Sequence, residues 1–192
     1  MHRTREQLDA GLDDIRASPR DDGTLAWISY RPAIGERVVV DTATLDLALG
    51  LVGDTWNVRP SSRMLARGPH PDMQLTLMNV RAVALVAGER ERWSLAGDQL
   101  YVDLDLSSDN LPPGTQLEIG DVVVEVTAQP HTGCAKFTAR FGSDAARWVN
   151  SPAGRALNLR GLNTRIVAPG QIHRGDRIRK VGAEKQPREG SQ

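Results

Sequence analysis

The chain has 192 residues, of which 40% are apolar and 25% charged, with 24 basic and 24 acidic side chains. That composition excludes a disordered polyelectrolyte, and the length suits one domain with a sizeable core rather than two ordinary ones. No apolar run approaches the ~20 residues of a bilayer span, the opening segment lacks the apolar core of a secretory signal, and a single cysteine excludes an internal disulfide. The expected location is the cytoplasm, with no membrane partner.

Thr4-Arg5-Glu6-Gln7 fits a capping box, and Leu8, Leu12 and Ile15 follow at helical spacing. One N-terminal helix is expected, stopped near Ser18-Pro19, with a turn at Arg20 to Gly23. Residues 1–23 are assigned to this helix and turn. Strands are expected at Leu25 to Tyr30 and at Arg37 to Val40. Leu45 to Leu51 reads equally as a helical turn or a strand. Pro60 to Pro71 reads as a loop, Leu75 to Met78 as a strand, and the Ala/Val/Leu run up to Gly88 as a helix.

Gly-Asp recurs at Gly53-Asp54, Gly97-Asp98, Gly120-Asp121 and Gly175-Asp176. Strand-like segments follow the last three, so these pairs are expected to serve as mechanical turn residues. Val122 to Thr127 is the clearest strand of the chain, and it leads directly into Gln129-Pro130-His131-Thr132-Gly133-Cys134. Beyond the cysteine, Ser143 is expected to cap a helix through Asn150, and Ser151-Pro152 offers a second helix start. Arg165 to Val167 and Arg177 to Val181 read as strands around a Pro169-Gly170 turn. The polar tail, 182–192, is expected to be disordered. Many short strands without βαβ alternation predict a β-rich, barrel-like α+β domain over 24–181.

The zero net charge hides an asymmetry. Residues 1–130 carry 12 basic against 20 acidic side chains, whereas 131–181 carry 10 against two. Cys134 lies in the basic segment, where a positive field lowers a thiol's pKa and attracts anions. The plainer reading is that these arginines pair with the acidic first part. If Thr132-Gly133 turns the chain, through a positive φ at Gly133, His131 can approach Cys134, and Lys136 and Arg140 add positive charge. No third orienting group for a cysteine hydrolase is visible. Four isolated histidines and one cysteine do not make a zinc site, no nucleotide fingerprint is present, and no nucleic-acid module is recognisable. A soft thiolate suits a persulfide sulfur or a sulfur-accepting transition metal.

Several ordered segments resemble the MOSC domain, the family named for the C-terminal domain of molybdenum cofactor sulfurase. They are Gly50 to Asp54, Gly97 to Leu100, Asn110 to Gly114, Leu117 to Asp121, the Gln129-Pro130 to Cys134 frame with Phe137 and Arg140 to Gly142, Arg160-Gly161, and Gly170 to Ile172 with Gly175-Asp176. The resemblance implies a closed, mainly β barrel with a few short helices. It also implies that Cys134 ligates molybdenum of a bound pterin cofactor or carries sulfur as a persulfide. Stand-alone members are linked to reduction of N-hydroxylated bases and related small molecules. On that basis His131 is expected to orient the cysteine, and Lys136, Arg140, Arg160 and Arg165 to hold the cofactor phosphate. His131 and Gly133 replace an Arg and a Pro common in the family, and Tyr101-Val102-Asp103-Leu104 replaces its G-E-N-L motif. No pyridoxal phosphate site is expected in this chain, so a separate sulfur donor or electron-transfer protein is the implied partner. Two other readings stay open: a sulfur carrier bearing a Cys134 persulfide, and a non-catalytic binding module in which Cys134 is a buried, inert core residue.

Overall fold

Strand β8 (Val122–Val126) alternates as its valine run predicts, with Val122, Val124 and Val126 buried and Val123 and Glu125 less so. In the computed structural model, which describes residues 2–58 and 68–182, this strand is one stave of a closed barrel. The ring runs from β1 (Gly23–Tyr30) to β6 (Leu100–Asp103), β5 (Leu75–Asn79), β9 (Leu162–Ala168), β8, β7 (Gln116–Ile119) and β11 (Arg177–Lys180), which pairs back with β1. All neighbours are antiparallel except β5 and β6. That parallel pair needs a long crossover. Helix α3 (Val80–Ala87) and a 3-10 segment (Arg90–Ala96) supply it. Strand β2 (Val38–Val40) extends β1 outside the ring, and β3 (Thr42–Asp46), β4 (Gly50–Leu51) and β10 (Gly170–His173) form a separate small sheet.

Two apolar layers explain why some strands alternate and others are apolar throughout. Leu25, Leu77, Leu100, Val102, Val124 and Ile178 fill the barrel. On the opposite face of β5 and β6, Met78 and Tyr101 pack beneath the helices with Leu8, Val83, Trp93, Phe137, Phe141 and Trp148. β5 and β6 are thus buried on both sides.

Several sequence expectations need correction. The N-terminal helix is two: α1 (Arg5–Asp9), which keeps the Thr4–Gln7 capping box, and α2 (Leu12–Arg16), which starts after Gly11. Leu8 and Ile15 still reach the same helical layer, so the apolar spacing survives the break. The ambiguous Leu45 to Leu51 segment is strand, turn and strand. A strand, β10, follows the expected Pro169-Gly170 turn at Gly170–His173, where the residue pattern had given no strand. Within Pro60 to Pro71, residues 60–67 lie outside the described residues, and Pro71–Met73 forms a 3-10 turn. The tail beyond residue 182 is also outside them.

The largest correction follows the cysteine. Helix α4 begins at Ala135, with Cys134 at its N-cap position, and runs to Asn150 with a break at Gly142. Phe137 and Phe141, one helical turn apart with ring centroids 4.9 Å apart and planes tilted by 59°, anchor its first half in the helical layer. Helix α5 (Pro152–Ala156) is capped by Ser151 as expected.

Candidate functional site

The loop from β8 to α4 is held by bonds to its neighbours. The Thr127 N–H donates to the Asn163 carbonyl (3.0 Å), the Thr127 hydroxyl to the Asp72 carbonyl (2.7 Å), and the Asn163 amide to the Gln129 carbonyl (3.1 Å). These contacts carry the chain to Cys134 at the edge of a cavity of about 380 Å³. Cys134 is exposed. That overturns the reading of it as a buried core residue.

Among the described residues, five cationic side chains line this cavity, namely Arg31, Arg37, Lys136, Arg140 and Arg160, with His70 and His131 and no carboxylate. Of the residues singled out in the sequence, Cys134, His131, Lys136, Arg140 and Arg160 share this wall. Arg165 does not. It projects from β9 to pair with Glu125 (2.6 Å) and Asp72 (3.7 Å). Arg174, Arg177 and Arg179 likewise pair with Asp41, Asp22 and Glu118, all from the acidic first part. The plainer reading of the charge asymmetry therefore holds for these arginines. Among the described residues no carboxylate pairs with Lys136 or Arg140; the Arg140 guanidinium donates to the Leu95 carbonyl (2.7 Å).

Arg160 organises the cavity floor. It precedes Gly161, whose φ is +99° and where a Cβ would sit 2.2 Å from the Leu77 carbonyl oxygen. Only glycine permits that approach to β5, and it brings Arg160 inward to 6% exposure. The guanidinium donates to Asp98 Oδ2 (2.6 Å) and the Ala96 carbonyl (2.9 Å), and lies 5.1 Å over the Phe137 ring. Asp98, read in the sequence as a turn residue, is fully buried and carries this ion pair. Asp54 of the first Gly-Asp pair plays a similar part, holding Arg31 through both carboxylate oxygens (2.9 and 3.0 Å). Sequence reasoning missed both acids, as well as Arg31, Arg37 and Asn163.

The Cys134 thiol has its pKa set by opposing effects. Partial burial pushes it up. The backbone N–H groups of Phe137 and Lys136 and the Arg160 guanidinium outweigh that, holding the thiol below its ordinary value. The sulfur makes no formed capping hydrogen bond, so these groups act on it as oriented dipoles and charge. The result is a larger thiolate share at neutral pH.

His131 behaves differently. Its Nε2 lies 3.3 Å from Asp98 Oδ1 without an aligned hydrogen bond. Burial, then the Arg160 charge, push the imidazole down to about 4, against an opposing pull from Asp98. It is therefore neutral at physiological pH. A neutral ring does not stabilise a thiolate as an imidazolium does, and among the described residues no hydrogen bond joins His131 to Cys134. His131 forms part of the wall, and lines a second cavity of about 150 Å³ on its other side.

The family model for the MOSC domain matches residues 67–179. The chain belongs to the MOSC domain family. Its barrel is similar to the crystal structure of the YuaD protein from Bacillus subtilis, with a TM-score of 0.60 and 18% identity over 81% of this chain and 93% of that one. YiiM from Escherichia coli is similar at a TM-score of 0.55, 21% identity, and 85% and 72% coverage. YiiM from Geobacillus stearothermophilus is similar at 0.55, 14% identity, and 83% and 75% coverage. At these identities the structures show a shared fold. No curated protein sequence matches the chain. No described helix of this MOSC protein is long and apolar enough to cross a membrane.

Proposed function

We propose that this MOSC protein binds a molybdenum cofactor through Cys134 and takes part in reduction of N-hydroxylated or related small molecules. The observation that carries the reading is an exposed thiol, with its pKa drawn down, at a cavity whose described lining has five cations and no carboxylate.

The residues present fit such a group. A cavity of about 380 Å³ falls within the ~300–1,000 Å³ usual for small-molecule sites. Lys136 and Arg140, which pair with no carboxylate among the described residues, suit the phosphate of a pterin cofactor. Arg160 Nε is buried on the wall and has no hydrogen-bond partner among the described residues, leaving polar capacity for a ligand. Among the described residues no three His, Cys, Asp or Glu side chains converge to hold a bare metal ion. A metal arriving already chelated by a pterin needs only one protein donor, and a soft thiolate suits molybdenum.

When bound, the cofactor would supply two-electron redox chemistry at its metal. The chain's own residues have other tasks. Cys134 presents its sulfur, Arg160 favours the thiolate, Lys136 and Arg140 neutralise the cofactor's anionic end, and Phe137 and Trp56 exclude water from part of the wall. An electron-transfer partner protein must provide the electrons.

The exposure of Cys134 also favours a second reading, a sulfur carrier, because a relayed persulfide must reach a partner. Elemental analysis and intact mass of freshly purified protein separate the two. Molybdenum and pterin retained by wild type and lost in Cys134→Ala support the cofactor reading. An extra sulfur mass on Cys134, removed by reductant and unaccompanied by molybdenum, refutes it in favour of the carrier.

A further inference from the structure

We infer that Asn150 is a positioning residue for Cys134, reaching it across the whole of α4. The Asn150 carboxamide accepts from the Gly133 N–H (3.0 Å) and donates to the Gly133 carbonyl (3.0 Å). It pairs with that residue's backbone on both sides, as a neighbouring strand would. Gly133 directly precedes the cysteine, so fixing its backbone fixes where the Cys134 side chain starts.

A straight helix would forbid this contact. Sixteen residues at 1.5 Å per residue would hold the ends of α4 about 24 Å apart. The break at Gly142 (φ 89°, ψ 166°) reverses the chain, so that the second half of α4 returns to the turn before the first half. That backbone region is open essentially to glycine alone. Gly133 does not take the positive φ expected from the sequence. What it requires is the missing Cβ, which would lie 2.9 Å from Val149 Cγ2 and 3.1 Å from Asn150 Nδ2.

The Asn150 side chain has no capping duty at the helix end. Ser151 caps α5 through its hydroxyl, and its own N–H bonds the Trp148 carbonyl. Among the described residues the sulfur makes no capping hydrogen bond at the helix start. Its relation to the Phe137 and Lys136 N–H groups and to Arg160 depends on the backbone that Asn150 holds. Breaking the clamp therefore frees the turn that presents the sulfur to the cavity. The inference rests on reading Cys134 as a functional thiolate, and its test needs no cofactor.

The experiment is electron paramagnetic resonance of a nitroxide label on Cys134, the single cysteine, in the full chain made in cells unable to synthesise the cofactor. Asn150→Ala should shorten the label's correlation time several-fold, and Asn150→Ser, too short to bridge both groups, should do the same. Ser151→Ala, which removes the adjacent cap without touching Gly133, should lower thermal stability and leave the label spectrum as in wild type. A wild-type spectrum in a folded Asn150→Ala or Asn150→Ser, or an equal change in Ser151→Ala, overturns the inference. Because molybdenum is absent throughout, failure here leaves the cofactor reading to its own test.

Discussion

Replacing Asp98 by Asn should be among the most damaging conservative changes in this protein. The substitution keeps the shape of the side chain and removes its charge. Asp98 is fully buried, and the Arg160 guanidinium, with 7% of its side chain exposed, lies 2.6 Å away. After Asp98→Asn that guanidinium stays charged, because arginine does not deprotonate in proteins. Removing one partner of a buried pair costs about 3–5 kcal/mol. For a chain of this size each kcal/mol lowers Tm by about 2–4 °C, so the fall should be about 6–20 °C. Urea unfolding followed by circular dichroism measures the free energy directly. The double variant Asp98→Asn/Arg160→Met should recover most of the loss, since it removes the stranded charge. A single variant within about 1 kcal/mol of wild type would refute the assignment of Asp98 and Arg160 as a buried pair that organises the cavity floor.

His131 should make stability fall with acid in a defined window. Its pKa is about 4 in the fold against an ordinary 6.5, so between those values the unfolded chain binds a proton that the fold refuses. Stability from this group is fully present above pH 6.5 and is lost as pH falls toward 4, by about 3 kcal/mol in all. Urea titrations across that range should show the slope in wild type and its loss in His131→Gln; parallel curves would argue against a buried neutral imidazole. Gly142→Ala should cost about 1–3 kcal/mol through its forbidden backbone region. The new methyl would also press on the His2 ring, 2.8 Å from Nδ1. By loosening the reversal it should free a nitroxide label on Cys134, and a stable variant with an unchanged label spectrum would show that Gly142 does not hold the turn.

The parts of this fold that were legible in the sequence are those that local pattern determines. The valine alternation of β8, the apolar runs of β5 and α3, and the caps at Thr4 and Ser151 each declare themselves within a few residues. The start of α4 was missed although Phe137 and Phe141 carry its signal, because Gly142 cuts the helical pattern short. β10 was missed because Gly170 to His173 is only half apolar and gains its strand character from pairing with β3. The site divides in the same way. Cys134, with Lys136 and Arg140 close behind it, stands out on sequence alone. Asp98 does not, since its role depends on an arginine 62 residues away that barrel closure brings beside it. Arg31 and Arg37 were hidden for a related reason: they sit in the acidic part of the chain and join the basic wall only in three dimensions.

The central claim is that Cys134 supplies the protein's one donor to a molybdenum centre. X-ray absorption at the molybdenum edge, on protein purified from cofactor-replete cells, tests it most directly. Wild type should show one more sulfur neighbour than the same cofactor free in solution. An identical sulfur count in the two samples, or no molybdenum in the wild type, would contradict it.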